Sequence, residues 1–308
     1  MNMLETRSLG KWFEVTIPES WNGVTLEEIF RSKWKVPKKL THSFRTEKKA
    51  LINGKPANWN VSLSAGTKLG LLLFEEVPFE TEPSYLDVPV IYEDDHLIVF
   101  NKPPFISTHP NEPDETDTLA NAAAFYMLSK GEIRNIRHIH RLDRDTSGAI
   151  IFSKHSLAGS LMDMMLEKRE IKRTYLALVQ GQLHQKKGII NEPIGRDRHH
   201  PVRRRVSATG QDAITHYQVL KGHSSQKLTA IKCWLDTGRT HQIRVHFSHI
   251  GHPLAGDILY GGLPLFDRQA LHAAKLEFIH PLTLEKIVCY APFLDKPPIF
   301  SGINLEDI

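Results

Sequence analysis

The run His140 to Gly148 crowds two arginines, two carboxylates, a histidine and two hydroxyls into nine residues. Apolar stretches stand on either side, at 133–139 and 149–152. A segment this polar between buried elements either satisfies its own polar groups or faces a cleft and does chemistry. Asp143 and Asp145 lie two apart, so in extended chain they point to one side, as the paired carboxylates of a glycosidase would. Turn chemistry argues for a humbler role at Asp145 and Ser147, hydrogen bonding to nearby amides. Asp143 differs, because Arg141 and Arg144 flank it. An opposing guanidinium favours an ionised carboxylate, and that suits a nucleophile or a charge stabiliser rather than a general acid.

A second cluster runs from Leu235 to His246 and contains Asp236, Thr237, Gly238, Arg239, His241, Gln242 and Arg244. The pattern predicts a strand, a glycine turn and a helix over Thr240–Ile250, ended by Gly251. His241, Arg244 and Ser248 then share one helix face, while Ile243, Phe247 and Ile250 turn to the core. An arginine near a helix N-terminus attracts an anion, which makes Arg244 a natural ion-pair partner for Asp143. A third cluster places Arg196, Arg198, His199, His200, Arg203, Arg204 and Arg205 within ten positions. It reads as a solvated loop with a phosphate-seeking face. No glycine-rich phosphate loop and no zinc spacing of Cys and His occurs. His138 and His140 alternate, but with no third ligand nearby no metal is expected.

The elements that must hold these residues fall into two groups. Residues 1–83 read as a small α+β unit. In it a helix spans Val24–Lys33 with Thr25 as its cap, a basic helical stretch covers 35–49, Asn53-Gly54 turns a hairpin, and Gly70–Phe74 forms a buried strand. Residues 75–84, with Pro78 and Pro83, read as a linker. Residues 84–308 read as a mixed α+β domain. Short strands flank Asp94-Asp95, helices cover Thr118–Lys130 and Ser156–Lys168, and strands cover 149–152, 175–179, 213–220 and 228–235. Most strand-to-strand links lack a helix, so pairing should be mainly antiparallel. The Leu157, Leu161, Met164, Met165 stripe should be core.

The 308 residues suffice for one large domain and a small one, and the composition, 41% hydrophobic and 24% charged, is that of an ordinary globular protein. No apolar run approaches the length of a membrane span. Met1–Thr6 lacks a basic-then-apolar leader pattern, and the two cysteines, Cys233 and Cys289, read as buried thiols in a reducing, cytoplasmic setting. The net charge of +4, with an isoelectric point near 8.9, is only modestly basic.

The run HRLDRDTSG, the later LDTGRTHQIRVH, then GHPLAGDILYG at 251–261 and LHAAKLEFIHP at 271–281, resemble the RluA family of pseudouridine synthases. Asn101-Lys102-Pro103, Ser107–Pro110 and the tyrosine-bearing segment Arg173–Val179 fit the same family, although it often has Lys where Arg173 stands. Residues 14–74 resemble, more loosely, the S-four-type RNA-binding domain fused in front of such enzymes, best at Asn53-Gly54-Lys55. The resemblance implies isomerisation of uridine to pseudouridine within RNA, without cofactor or metal; ribosomal and transfer RNA are both open as substrates, and a monomer is expected. It makes Asp143 the catalytic aspartate, Tyr175 the residue that stacks on uracil and serves in removing the C5 proton, and Arg244 the partner of Asp143. Arg141 would fill the duplex where the base leaves. Arg203, Arg204, Arg205 and Lys55 are the further expected RNA contacts. Two other readings differ in class: a noncatalytic RNA-binding protein, which would not need the Asp143, Tyr175, Arg244 set, and a nucleoside hydrolase, which would need a second acid.

Overall fold

A computed structural model of the protein describes residues 3–223 and 227–308; Met1 and Asn2 of the stretch read for a leader lie outside it. The N-terminal unit is a five-stranded antiparallel sheet in the order β1-β2-β5-β3-β4. Its strands are β1 (Thr6–Leu9), β2 (Trp12–Thr16), β3 (Ala50–Ile52), β4 (Lys55–Pro56) and β5 (Lys68–Leu72). Asn53 and Gly54 both take left-handed φ angles, 49° and 77°, which a two-residue hairpin turn of this hand requires. The helix expected over Val24–Lys33 splits into α1 (Leu26–Glu28), closed by a Thr25–Glu28 capping box, and a π-helical turn over Ile29–Lys33. The basic stretch is helical only as α2 (Lys38–Thr46), because Lys35 is left-handed and Pro37 is the N-cap. Strands β1 and β2 escaped the sequence reading. Strand β1 is a short, mostly exposed edge strand with no apolar alternation, whereas β2, paired on both sides, buries Phe13 and Val15 in strict alternation.

The larger unit is built on a ten-stranded sheet. Its elements in chain order are β6 (Val90–Glu93), β7 (Leu97–Lys102), α3 (Leu119–Ser129), β8 (Arg137–His138), β9 (Ser147–Ser153), α4 (Ser156–Glu167) and β10 (Lys172–Gln180). There follow β11 (Lys187–Asn191), a separate hairpin of β12 (Ile194–Arg196) and β13 (Arg204–Val206), β14 (Ile214–His223), β15 (Leu228–Leu235), α5 (Gln242–His249), β16 (Leu271–Ile279) and β17 (Lys286–Tyr290). The strand order is β11-β14-β15-β10-β16-β9-β7-β6, with β17 on β16 and β8 on β9. Pairing is antiparallel except for β16 on β9, so the fold is α+β with a mixed, mainly antiparallel sheet. Ile98, Phe100, Ile150, Phe152, Ala177 and Ile231 pave one core layer of this sheet.

The segment read as a linker has no regular structure, yet it lies on the larger unit. Val77 N–H donates to Ile133 C=O at 2.8 Å and Phe79 packs on the core. Leu157 and Leu161 of α4 and Leu282 belong to the same apolar cluster as Phe13, Phe30 and Leu71, so the smaller unit buries its face against the larger. Two details of α5 correct the sequence reading. It begins at Gln242 rather than Thr240, because His241 is left-handed with φ 59°. Ile250, expected in the core, caps the helix and is 37% exposed.

Candidate active site

Strand β9 begins at Ser147, and the polar run forms the loop that feeds it from β8. Gly148 explains how the loop reaches its place. It sits at φ 116°, and a Cβ there would meet the Ala273 carbonyl oxygen at 2.3 Å. Only glycine lets β9 lie this close alongside β16.

Buried donors then pin the loop residue by residue. Leu142 exchanges hydrogen bonds with Thr108 Oγ1, donating at 3.1 Å and accepting at 3.0 Å. Lys102 Nζ, wholly buried, donates to the carbonyls of Pro103, Ile106 and Arg144, each at 2.9 Å. Burial pushes that ammonium down to about 7, against the pull of Asp143 and Asp145. Arg268, also buried and paired with Asp295, donates to the Asp145 carbonyl at 3.1 Å and to Ser147 Oγ at 2.9 Å. The Asp145 carboxylate makes none of the amide contacts expected of it. Its Oδ1 is buried, lies 3.5 Å from Arg144 Nη1, and has no hydrogen-bond partner among the described residues. Ser147 serves the strand rather than a turn, with Oγ 2.8 Å from His272 Nδ1.

Held this way, Asp143 meets Arg244 from α5: Nη1 donates to Oδ2 at 3.1 Å. The same guanidinium is gripped by Asp257, with Nε to Oδ2 at 2.8 Å and Nη2 to Oδ1 at 2.9 Å. Burial disfavours the charge on Arg244, but the hydrogen bonds and charge of Asp257, with Asp143, outweigh it and raise the pKa further. The Tyr260 ring lies under the guanidinium, 4.9 Å from centroid to Cζ. His241 Nδ1 sits 2.8 Å from the Tyr260 hydroxyl and Ser248 Oγ donates to the Tyr260 carbonyl at 2.8 Å. His241, Arg244 and Ser248 thus converge on one tyrosine. Neither Asp257 nor Tyr260 was singled out from sequence; both lie in the GHPLAGDILYG segment.

Asp143, Tyr175 and Arg244 line one cleft of about 1140 Å³. Tyr175 enters from β10. It is 4% exposed, and burial raises its phenol's pKa while Arg173 works against that rise. Arg141 is exposed at the rim beside Asp143. The arginine cluster straddles the β12–β13 hairpin: Arg196 pairs across from Arg204 on its strands, and Arg198, His199, His200 and Arg203 lie in the loop that joins them. Asp197, unweighed in the sequence reading, binds Arg203 through Nη2 at 2.6 Å and so takes up much of its charge. Arg204 N–H donates to the Tyr260 hydroxyl at 2.9 Å, and Arg205 is exposed. Lys55 is exposed on β4, and none of the described residues of the N-terminal unit lines the cleft. Among the described residues no group of His, Cys, Asp and Glu could hold a metal ion. None of their helices is long and apolar enough to cross a membrane.

A carboxylate presented on a buried guanidinium, in a cleft over β10, β15 and β16 that Arg141, Lys172, Arg173 and Lys232 also line, defines a site for chemistry on an anionic substrate. The chain belongs to the RNA pseudouridylate synthase family, whose model matches residues 96–249. Residues 13–69 match the RluD ribosomal pseudouridine synthase N-terminal domain. The uncharacterized RNA pseudouridine synthase YhcT of Bacillus subtilis (strain 168) is 44% identical over 285 residues, 92% of this chain and 94% of that protein. Ribosomal large subunit pseudouridine synthase D of Haemophilus ducreyi is 39% identical over 236 residues, 71% of this chain and 70% of that protein. Among solved structures, human RNA pseudouridylate synthase domain containing 1 superposes with a TM-score of 0.57 at 25% identity, over 70% of this chain and 88% of that one.

Proposed function

We propose that this RNA pseudouridine synthase isomerises specific uridines in ribosomal or transfer RNA, with Asp143 as the catalytic aspartate and no cofactor. The supporting observation is the Asp143–Arg244 contact at 3.1 Å, in the same cleft as Tyr175. Breaking the glycosidic bond needs a carboxylate beside the sugar, either attacking C1′ or taking the C2′ proton. Both roles need an ionised Asp143, which Arg244 favours. The freed uracil must turn over without escaping, so that C5 replaces N1 at C1′. Tyr175 stacks on it, and its raised pKa suits stacking better than acting alone as the base that removes the C5 proton. The target must leave its helix to reach Asp143, and Arg141 at the rim is placed to take up the vacated space.

Residues 1–83 serve as the RNA-binding unit and 84–308 as the catalytic unit of a cytoplasmic monomer. Arg203, Arg204, Arg205 and Lys55 extend the RNA surface. The ribosomal substrate draws support from the relative named ribosomal large subunit pseudouridine synthase D. Pseudouridine mapping of total cellular RNA, with and without the gene, tests this reading. Sites that vanish without the gene and return with the wild type but not with Asp143→Asn carry it. Unchanged maps would overturn it.

A further inference from the structure

The cleft continues past the reacting centre to an aromatic residue that the isomerisation does not use. Trp234 lies on β15 directly opposite His216 of β14 and Thr174 of β10, and Thr174 lies opposite Lys275 of β16. Directly opposed residues project from the same face of a sheet, so these four form one row. Tyr175, one position along β10 from Thr174, projects from the other face. The cleft that holds Tyr175 also holds Trp234, Thr174 and Lys275, so it passes over the ends of β10 and β15 from one face to the other.

Trp234 is 38% exposed. The His216 ring is stacked on it, with centroids 5.4 Å apart and planes 4° from parallel. His216 is itself fixed, with Nε2 3.0 Å from Asp236 Oδ2. The indole is therefore held rigidly from one side. On its other side the row offers Thr174, a small residue, and then Lys275, whose Nζ lies over Tyr290 at 5.2 Å and beside Glu277 at 3.2 Å. Two strand spacings separate Trp234 from Lys275, about 9.5 Å at the backbone. A planar ring in contact with both neighbours needs about 7 Å. Lys172 and Lys232, two positions from Thr174 and Trp234 respectively on their strands, project from the same face and line the same cleft. An aromatic face beside cations is how single-stranded nucleic acid is held without sequence preference.

We propose that Trp234, backed by His216, is a stacking platform for a nucleobase that neighbours the target uridine, seated in the slot over Thr174. Lys172 and Lys232 take the phosphates on either side of that base. The proposal rests on the RNA reading of the cleft and adds a second base site to it. The platform grips the strand after the target base has left the stack, and it contributes to affinity rather than to the chemical step.

Trp234 is the only one of the five tryptophans outside the N-terminal unit, so its emission can be isolated as wild type minus Trp234→Phe. The full chain is titrated with single-stranded oligouridylate and with the same oligomer carrying abasic positions. Oligouridylate should quench the Trp234 emission. Trp234→Ala should bind it about tenfold more weakly, while Trp234→Phe stays within about threefold of wild type. The salt dependence should not change, because no phosphate contact is lost. With the abasic oligomer, wild type and Trp234→Ala should bind alike. On a structured RNA substrate, Trp234→Ala should raise KM and leave kcat in place. Unquenched emission, equal affinity of the Ala and wild-type proteins for oligouridylate, or a deficit that persists with abasic RNA would overturn the platform. Should Trp234→Ala fail to fold, the quenching and the wild-type preference for intact over abasic RNA decide the matter alone. Absence of pseudouridine formation by the wild type would refute the enzymatic reading instead, and leaves these binding results standing.

Discussion

Arg244 gives Asp257 two hydrogen bonds, at 2.8 and 2.9 Å, and gives Asp143 a single one at 3.1 Å. The fork of the guanidinium is spent on the buried carboxylate, and one nitrogen is left for the carboxylate that faces the cleft. Asp257 therefore fixes the arginine, and the arginine aims Asp143. Removing Asp257 should leave a buried cation without its main partner. Asp257→Asn should destabilise the fold by about 3 kcal/mol and lower turnover as well, read from urea midpoints and single-turnover rates. Arg244→Lys should be poor and Arg244→Met poorer, since lysine keeps the charge but not the fork. Near-normal rates for Arg244→Met would remove this residue from the site.

Asp143→Asn is isosteric and should leave the urea midpoint and RNA affinity near wild type while pseudouridine formation disappears. The amide can neither attack C1′ nor accept the C2′ proton. Asp145→Asn should change stability by less than about 1 kcal/mol and keep activity, because its carboxylate makes no amide hydrogen bond. A stable but inactive Asp145→Asn would show that the wrong carboxylate had been chosen.

Gly148→Ala tests the approach of β9 to β16. A Cβ at this position would stand 2.6 Å from the Ala273 nitrogen as well as 2.3 Å from its oxygen. The strands must separate, at a cost of about 2 kcal/mol or more, and the loop carrying Asp143 moves with them. Calorimetry should show the lost stability, and turnover should fall although no reacting group has changed. A variant with wild-type melting and activity would mean that this close approach is not needed.

Acid should loosen the join between the two units. His96 and His155 sit there against Phe13 and Phe74, with His96 Nδ1 2.9 Å from His155 Nε2. Burial pushes His96 down to about 4, and burial also holds His155 well below its ordinary value. In the unfolded chain these rings take a proton near pH 6.5, before the folded ones do. Their stabilising effect is therefore present above about pH 6.5 and is lost as the pH falls towards about 4. For His96 the loss should reach about 2 kcal/mol by about pH 5. Urea titrations across that window should show the slope, and His96→Phe should flatten part of it. An unchanged slope in that variant would show that the titration lies elsewhere.

The sequence alone determined the two polar runs and the expectation that Arg244 complements Asp143. It also marked the Asn53-Gly54 turn and the Thr25 helix cap. Apart from the Arg244–Asp143 pairing, these are local, since spacings of one to four residues decide which side chains share a face or a cap. Composition could also show that Asp143 lies among guanidiniums. It could not show that Asp257 takes the better half of Arg244, that Lys102 and Arg268 hold the loop by its carbonyls, or that the Asp145 carboxylate is left without an amide. Nor could it show that Trp234 stands in the cleft. Those facts depend on strand order, in particular on β16 lying between β9 and β10. That order brings residues more than a hundred positions apart, such as Ser147 and His272, within 2.8 Å. Hydrogen bonds of this kind are selected by how the whole sheet packs, and no short window of sequence carries that information.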